Sequence, residues 1–304
     1  MGIDNTFDVT VFVATTGELK RKERLKSAIQ SVLSQKDSKA KLIVLINGQE
    51  YDKSLRAKLM QSNEFETFYL ELGNYPEALK YARSIVETKF FCFLDDDDEF
   101  TAGSIQKRLE KFTDDDAIDV VVGNGFRRNQ KNVQQTVLSD AQLQFCKQKL
   151  LQSLFRDKGN WLASCAGMYR TSAIPQGFFD DYAKHAEWSY LALKLALYKR
   201  VTFVEEPCFI INDSDDSLSK STEYFVDQYR YLLKLLKIDL PAQIIETIQH
   251  KKTEMEHQLS TIYLDKKQHK PAWRYHLASL ASWYGLKRYL LFSRRLLLSQ
   301  FSWK

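Results

Sequence analysis

The sequence predicts an α/β protein: a Rossmann-like, mostly parallel sheet flanked by helices, followed by a carboxy-terminal helical extension. Three observations carry that prediction. Short apolar, β-branched runs alternate with helix-length amphipathic segments through the first half. One run passes directly into four consecutive aspartates, where an open α/β sheet gathers its ligands. From Tyr224 onward only helical periodicity remains.

The predicted strands are Val9–Ala14, Lys41–Ile46, Phe68–Leu72, Phe90–Leu94 and Ile118–Val122, each short, apolar and bounded by polar turns. Helices are expected between them over Lys22–Gln35, Tyr51–Gln61, Pro76–Glu87 and Ser104–Phe112. Pro76 suits the first turn of its helix, where the missing N–H costs nothing. The polar stretch Asn129–Gln152 reads as a loop followed by a helix. A second block then holds a strand near Met168, a turn at Pro175–Asp181, a helix over Glu187–Tyr198, and strands at Val201–Val204 and Phe209–Ile211. Asp239-Leu240-Pro241 marks a boundary inside the helical region.

Charge divides the chain. The 304 residues hold 44 Lys+Arg and 39 Asp+Glu, but Lys266 to Lys304 contributes nine basic residues and no acidic one. Removing those nine leaves 35 basic against 39 acidic, so the body is mildly acidic and only the tail calls for an anionic partner. Nucleic acid is therefore not an expected partner. With 44% hydrophobic and 27% charged residues the composition is globular, and we expect two domains, 1–222 and 223–304. Cys92, Cys146, Cys165 and Cys208 form no CxxC pair and the histidines lack ligand spacing, which argues against structural zinc and for a reducing compartment. The charged start lacks a secretory pattern, and the tail's longest uncharged stretch, Tyr275–Leu286, is too short to span a bilayer. The expected location is the cytoplasm.

The acidic run is Asp95-Asp96-Asp97-Asp98 after Phe90-Phe91-Cys92-Phe93-Leu94. Four adjacent carboxylates repel one another and need a compensating cation. In an extended chain Asp95 and Asp97 point one way while Asp96 and Asp98 point the other. A hard divalent ion, Mg²⁺ or Mn²⁺, held by one or two carboxylates and substrate phosphates meets both needs. The bland reading is an acidic loop that caps the following helix. A P-loop enzyme is excluded because no GxxxxGK[ST] is present. The turn after the first strand, Ala14-Thr15-Thr16-Gly17-Glu18, lacks the glycines of a dinucleotide fingerprint, and Gly123-Asn124-Gly125 lacks the third. No glycine sits at the sixth position of the acidic loop, so it is not an EF-hand.

Across Val9 to Ser221 the chain resembles the inverting family 2 glycosyltransferases of GT-A fold. The resemblance rests on Val11-Phe12-Val13-Ala14-Thr15, the helix Leu25–Gln35, Leu42–Gly48 and the aspartate motif Leu94–Asp98. It continues through Ala166-Gly167-Met168-Tyr169-Arg170, Gly177-Phe178-Phe179-Asp180, Ala186-Glu187-Trp188 and Ser217-Leu218-Ser219. It implies a nucleotide-sugar donor, a UDP-sugar first, and a glycan or lipid-linked acceptor in bacterial surface polysaccharide synthesis. Residue by residue it implies Thr15 beside the nucleotide, Asp95 and Asp96 near ribose and phosphate, the metal on Asp97 with Asp95, and Glu187 as catalytic base. The family's Glu-Asp pair reads Ala186-Glu187 here, and its acid after the second strand reads Ile46-Asn47. An apolar Ile46 cannot accept a hydrogen bond from a base, which leaves Asn47 for that role and the identity of the base open. Lys80 and Arg83, one helical turn apart on the helix before the metal strand, are candidates for a second cation on the phosphates, a solvated face being the bland reading. The family's Ala-Arg-Asn cluster there reads Ala78-Leu79-Lys80, a departure from its pattern.

In the tail, Trp273, Leu277, Leu280 and Tyr284 form one apolar stripe and Leu286, Tyr289, Leu290 and Leu297 another. Leu291, Phe292, Leu296 and Leu298 broaden the second stripe, Lys287, Arg288, Arg294 and Arg295 flank it, and Trp303 lies near the end. That pattern fits a helix at an anionic membrane surface, peripheral on the inner face. Its rival is docking on the catalytic domain or on a second subunit, a homo-oligomer. Against the enzyme reading stand a non-catalytic glycosyltransferase-like scaffold and, more distantly, a nucleotidyltransferase using the same metal site.

Overall fold

The structure is a computed structural model that describes residues 7–36, 38–156, 160–213 and 221–301. Ser217–Ser219 and Trp303 lie outside the described residues. The chain divides into two compact units, Met1–Tyr182 with Glu187–Asp215, and Ala183–Ala186 with Asp216–Lys304.

The first unit opens with three βα repeats. β1 (Val9–Thr15), a 3₁₀ turn (Leu19–Arg21) and α1 (Lys22–Leu33) lead to β2 (Ala40–Asn47), α2 (Lys53–Met60), β3 (Glu66–Leu70), α3 (Tyr75–Ser84) and β4 (Phe90–Asp95). Strands β3, β2, β1 and β4 lie side by side in that order, all parallel. Their apolar runs are continuous because helices cover both faces; Val9, Val11, Phe12 and Val13 are all buried. α1 buries Leu25, Ala28, Ile29 and Val32, one helical stripe against the sheet. Asp52 caps α2 by accepting from Leu55 N–H at 2.8 Å, and Pro76 sits in the first turn of α3.

Beyond the acidic run come β5 (Glu99–Phe100), α4 (Ser104–Asp114), β6 (Val120–Arg128), β7 (Gln134–Thr136), α5 (Asp140–Gln148) and α6 (Leu150–Ser153). β8 (Gly167–Arg170), a 3₁₀ turn (Gln176–Phe179), α7 (Glu187–Tyr198) and β9 (Val201–Asn212) complete the unit. β8 joins the parallel half to β6 and is antiparallel to both β4 and β6. β9 runs parallel to β6, and the short β5 and β7 pair antiparallel with β9 and β6. The sheet is thus mixed, but its long ladders are parallel.

Two short strands expected over Val201–Val204 and Phe209–Ile211 are one strand. Their separation in sequence comes from Pro207, which falls where the β6–β9 register slips between Gly123 and Gly125. The glycines there permit close approach rather than phosphate binding. A Cβ on Gly123 would stand 2.6 Å from Cys208 Cβ, and one on Gly125 2.6 Å from the Phe209 carbonyl oxygen. Gly125→Ala is therefore expected to lower stability by ~1–3 kcal/mol through overpacking at a ladder that cannot give, measured as a reduced denaturation midpoint.

The second unit holds α8 (Thr222–Leu235), α9 (Ala242–Asp265), α10 (His269–Ser279), α11 (Trp283–Tyr289) and α12 (Phe292–Phe301). Pro241 immediately precedes α9, and the hydroxyls of Ser221 and Ser282 cap α8 and α11. Stacked rings join α9 to α11: His250 lies 4.1 Å from Tyr284 and His257 4.0 Å from Tyr289. Leu264, Ala272 and Leu296 form a small core of their own. Among the described residues no helix is long and apolar enough to cross a membrane.

Candidate active site at the carboxyl edge of the parallel strands

The carboxyl ends of β1, β2 and β4 bring Thr15, Asn47 and Asp95 to one edge of the sheet, where ligands of open α/β sheets bind. Beside Asn47 lies a cleft of about 480 Å³ lined by Thr16, Asn47, Gly48, Gln49, Glu71 and Gly73. Two loops meet back to back to form it. Gly48 (φ 102°) and Gly73 (φ 61°) adopt left-handed backbone, and a Cβ on Gly48 would stand 3.0 Å from the Gly73 Cα. Ile46 is fully buried in the core, so the cleft's acceptors come from other residues, among them Asn47, Glu50 and Glu71, the last accepting from Gln49 at 3.2 Å.

The four aspartates have four different environments. Asp95 and Asp97 are half-buried; Asp96 and Asp98 are buried. Asp95 accepts from Tyr75 Oη at 2.9 Å and Ser164 Oγ at 2.7 Å. Desolvation nevertheless pushes its carboxyl up to about 6, with the Asp97 charge adding to the rise. Asp96 accepts from Thr15 Oγ1 at 2.5 Å and is clamped by Arg21, whose Nε lies 2.9 Å from its Oδ2 and whose Nη2 bonds Oδ1. The same guanidinium reaches Asp97 Oδ2 at 3.2 Å. Burial raises Asp97, while Arg21 and Arg24 pull it down. Asp98 accepts from Asn212 N–H at 3.1 Å, and burial holds its carboxyl well above the ordinary range.

Arg21 ties the first loop to the acidic turn. Its own loss would leave Asp96 buried with only the Thr15 hydroxyl to offset its charge. Arg21→Met is expected to cost roughly 2–3 kcal/mol, less than for a fully buried pair because Arg21 is partly solvated, and chemical denaturation measures it.

Glu187 is the first residue of α7, beside a small cavity of about 20 Å³ lined in part by Pro76, Phe179, Tyr190 and Lys194. Its neighbour Trp188 packs on Phe93 of β4 at 5.6 Å and on Tyr75 at 6.3 Å, and Tyr75 is the donor to Asp95. Through these rings the start of α7 is held against the strand that ends in the aspartates. Lys80 Nζ lies 3.1 Å from Glu77 and 3.6 Å from Asp180. Arg83 donates to the carbonyls of Ile174 and Thr171, a structural role that occupies its guanidinium.

Among the described residues no three His, Cys, Asp or Glu side chains converge to form a closed metal cage. Both oxygens of Asp95 and of Asp96 carry hydrogen-bond partners, whereas Asp97 has the Arg21 contact on Oδ2. This donor set fits a divalent ion held by one carboxylate with substrate phosphates, the habit of Mg²⁺, better than an all-protein site.

Sequence reasoning missed Arg21, Glu71, Tyr75, Ser164 and Asn212. A signal existed for Arg21: a cation in the loop after the first strand faces the same sheet edge as the acidic run. Glu71 follows the third strand at that edge. Ser164 and Asn212 carry no local signal.

No curated protein is matched by the chain in sequence. Among solved structures it is similar to residues 1–349 of Staphylococcus aureus TarS bound to UDP: TM-score 0.53 at 15% identity, covering 84% of this chain and 70% of that one. With the UDP-GlcNAc complex of the same TarS fragment the TM-score is 0.54 at 14% identity, covering 96% and 79%. A longer TarS structure gives 0.52 at 15% identity over 84% of this chain and 43% of that one. The fold is thereby shared, a curled, mostly parallel α/β sheet with carboxy-terminal helices. Residues 10–178, more than half of the chain, match the family described as Glycosyl transferase family 2. The chain belongs to that family, and it is a glycosyltransferase.

Proposed function

We propose that this enzyme transfers a sugar, with inversion at the anomeric carbon, from a UDP-sugar to a glycan or lipid-linked acceptor in bacterial surface polysaccharide synthesis, at the cytoplasmic face of the membrane. The observation that carries the reading is the placement of Glu187: the rings of Trp188 and Tyr75 link the start of α7 to Asp95, one residue from Asp96 and two from Asp97. The UDP and UDP-GlcNAc found in the TarS structures support the donor class. We assign the catalytic unit to 1–222 and the helical unit to 223–304.

Asn47 and Glu71 supply hydrogen-bond acceptors for the nucleotide base in the cleft. Thr15 and Arg21 hold Asp96 in place, so the acidic turn is already shaped before the donor arrives. Glu187 accepts the proton of the acceptor hydroxyl as that oxygen attacks the anomeric carbon. The bond from that carbon to the diphosphate breaks as the new one forms, and its electron pair leaves with the nucleoside diphosphate. Asp97 would hold Mn²⁺ or Mg²⁺, which when bound supplies positive charge to the leaving diphosphate. Asp95, expected from the sequence to share the ion, would stand beside it with its oxygens engaged by Tyr75 and Ser164. Lys80 adds positive charge to the donor side, restrained by Glu77 and Asp180.

Titration calorimetry with UDP, GDP and CDP in Mn²⁺ buffer tests the donor assignment. We expect UDP to bind at least ~10-fold more tightly than the others, a difference of about 1.4 kcal/mol. Tighter binding of GDP or CDP would overturn the UDP reading, and binding of none would return the chain to a non-catalytic scaffold.

A further inference from the structure

The apolar stripe of the tail is split by the fold. Tyr284 and Tyr289 turn inward to stack on His250 and His257, and Leu296 is buried in the small core with Leu264 and Ala272. Other apolar residues of the stripe stay outside. Trp283 is 78% exposed, Leu290 51%, Leu291 88% and Leu298 59%. Trp283 and Leu286 lie one turn apart on α11 with Leu290 as its C-terminal cap, while Leu291 immediately precedes α12 and Leu298 lies within it. Leu291 and Leu298 also line an open groove of about 490 Å³ whose other walls are Arg294, Arg295 and Ser299. Large aliphatic and aromatic side chains exposed together on two neighbouring short helices mark a contact surface rather than scattered exposure.

We propose that this face of α11 and α12 seats on the surface of an anionic phospholipid bilayer. The charge pattern selects that occupant. From Lys266 to Lys304 there is no acidic residue, and Lys287, Arg288, Arg294 and Arg295 are all exposed beside the apolar ridge. Arg288 and Arg295 lean back to Glu254 at 3.5 Å and Asp265 at 3.1 Å on α9, which sets their stems along the helices. A second copy of the chain fits poorly. The acids beside the patch, Glu254 and Asp265, are already engaged by Arg288 and Arg295. A two-fold contact that brings the same patch of each copy together would therefore add Lys287 and Arg294 of both copies with no acid from Lys266 to Lys304 to offset them. A lipid headgroup layer offers phosphates to the cations and an acyl boundary to the Trp and Leu side chains at once. The inference rests on the reading of a membrane-face acceptor, and it names the surface of the chain that meets the membrane.

Flotation of the full chain with phosphatidylcholine vesicles, with and without phosphatidylglycerol, tests it without any sugar transfer. Binding is expected only to the vesicles that contain phosphatidylglycerol, and to fall as salt is raised. Lys287→Glu with Arg294→Glu, and separately Leu291→Ser with Leu298→Ser, should each weaken it by ~10-fold or more. Both pairs should keep the parent's affinity for UDP, which shows that they fold. Equal binding by parent and variants, or no binding by the parent, overturns the proposal. A dimer that dissociates in the Leu291→Ser, Leu298→Ser variant, with no vesicle binding by the parent, gives the face to a second copy and also overturns it. Transfer activity in solution is read separately, so loss of the donor reading and loss of the membrane surface are distinguishable.

Discussion

Replacing Glu187 by glutamine is expected to lower kcat by roughly 10²–10⁴-fold while leaving the affinity for UDP unchanged. The amide keeps the shape and hydrogen-bonding reach of the carboxylate at the start of α7 but cannot take a proton. An acceptor hydroxyl, a weak nucleophile, then attacks without a base. Because the interaction is made as the proton moves, the loss should fall on kcat and kcat/KM alike and not on donor KM. Single-turnover transfer and calorimetry with UDP separate the two quantities. Retained kcat would remove Glu187 from the mechanism and return it to the commoner role of a first-turn glutamate in its helix.

Asp97→Ala should fail differently. It removes the half-buried carboxylate proposed to meet the divalent ion, and several kcal/mol of leaving-group stabilisation go with it, about 10³-fold in kcat. UDP affinity in Mn²⁺ should fall as well, so this variant loses binding and rate where Glu187→Gln loses rate alone. The ligand-free protein should tolerate the change. Burial raises Asp97 and repulsion from Asp96 adds to it, so its charge is a burden on the protein by itself that Arg21 and Arg24 only partly offset. Unchanged UDP affinity in Asp97→Ala would place the ion elsewhere.

Much of the fold was legible because the strands are buried on both sides. β1, β2 and β4 appear as unbroken apolar runs, and their observed bounds differ from the expected ones by a residue. α7 begins and ends at Glu187 and Tyr198, as its periodicity predicts. The weaker half was less legible. β7 is a three-residue strand with every residue exposed, Gln134–Thr136, so it carries no hydrophobic signal. β5 is two residues at the end of the acidic run. α3 stops at Ser84, three residues before the expected Glu87, and Ile85 there has left helical geometry.

The sequence alone determined the alternation that builds the parallel sheet, the acidic turn at the end of β4 and the family to which the motifs belong. It also determined that all positive excess lies after Asp265. What it could not determine was how four chemically identical aspartates would differ. Tyr75 and Ser164 hold Asp95, Thr15 and Arg21 hold Asp96, and Asn212 holds Asp98, from positions between 20 and 114 residues away. Local sequence sets which way a side chain leaves the backbone, so alternation is readable. The solvation and partners that set its charge come from whichever distant strand end or loop packs against it, and only the folded chain decides that. The tail obeys the same division: its stripe was written in the sequence, but which residues turn inward onto His250 and His257, and which remain at the surface, was settled by α9.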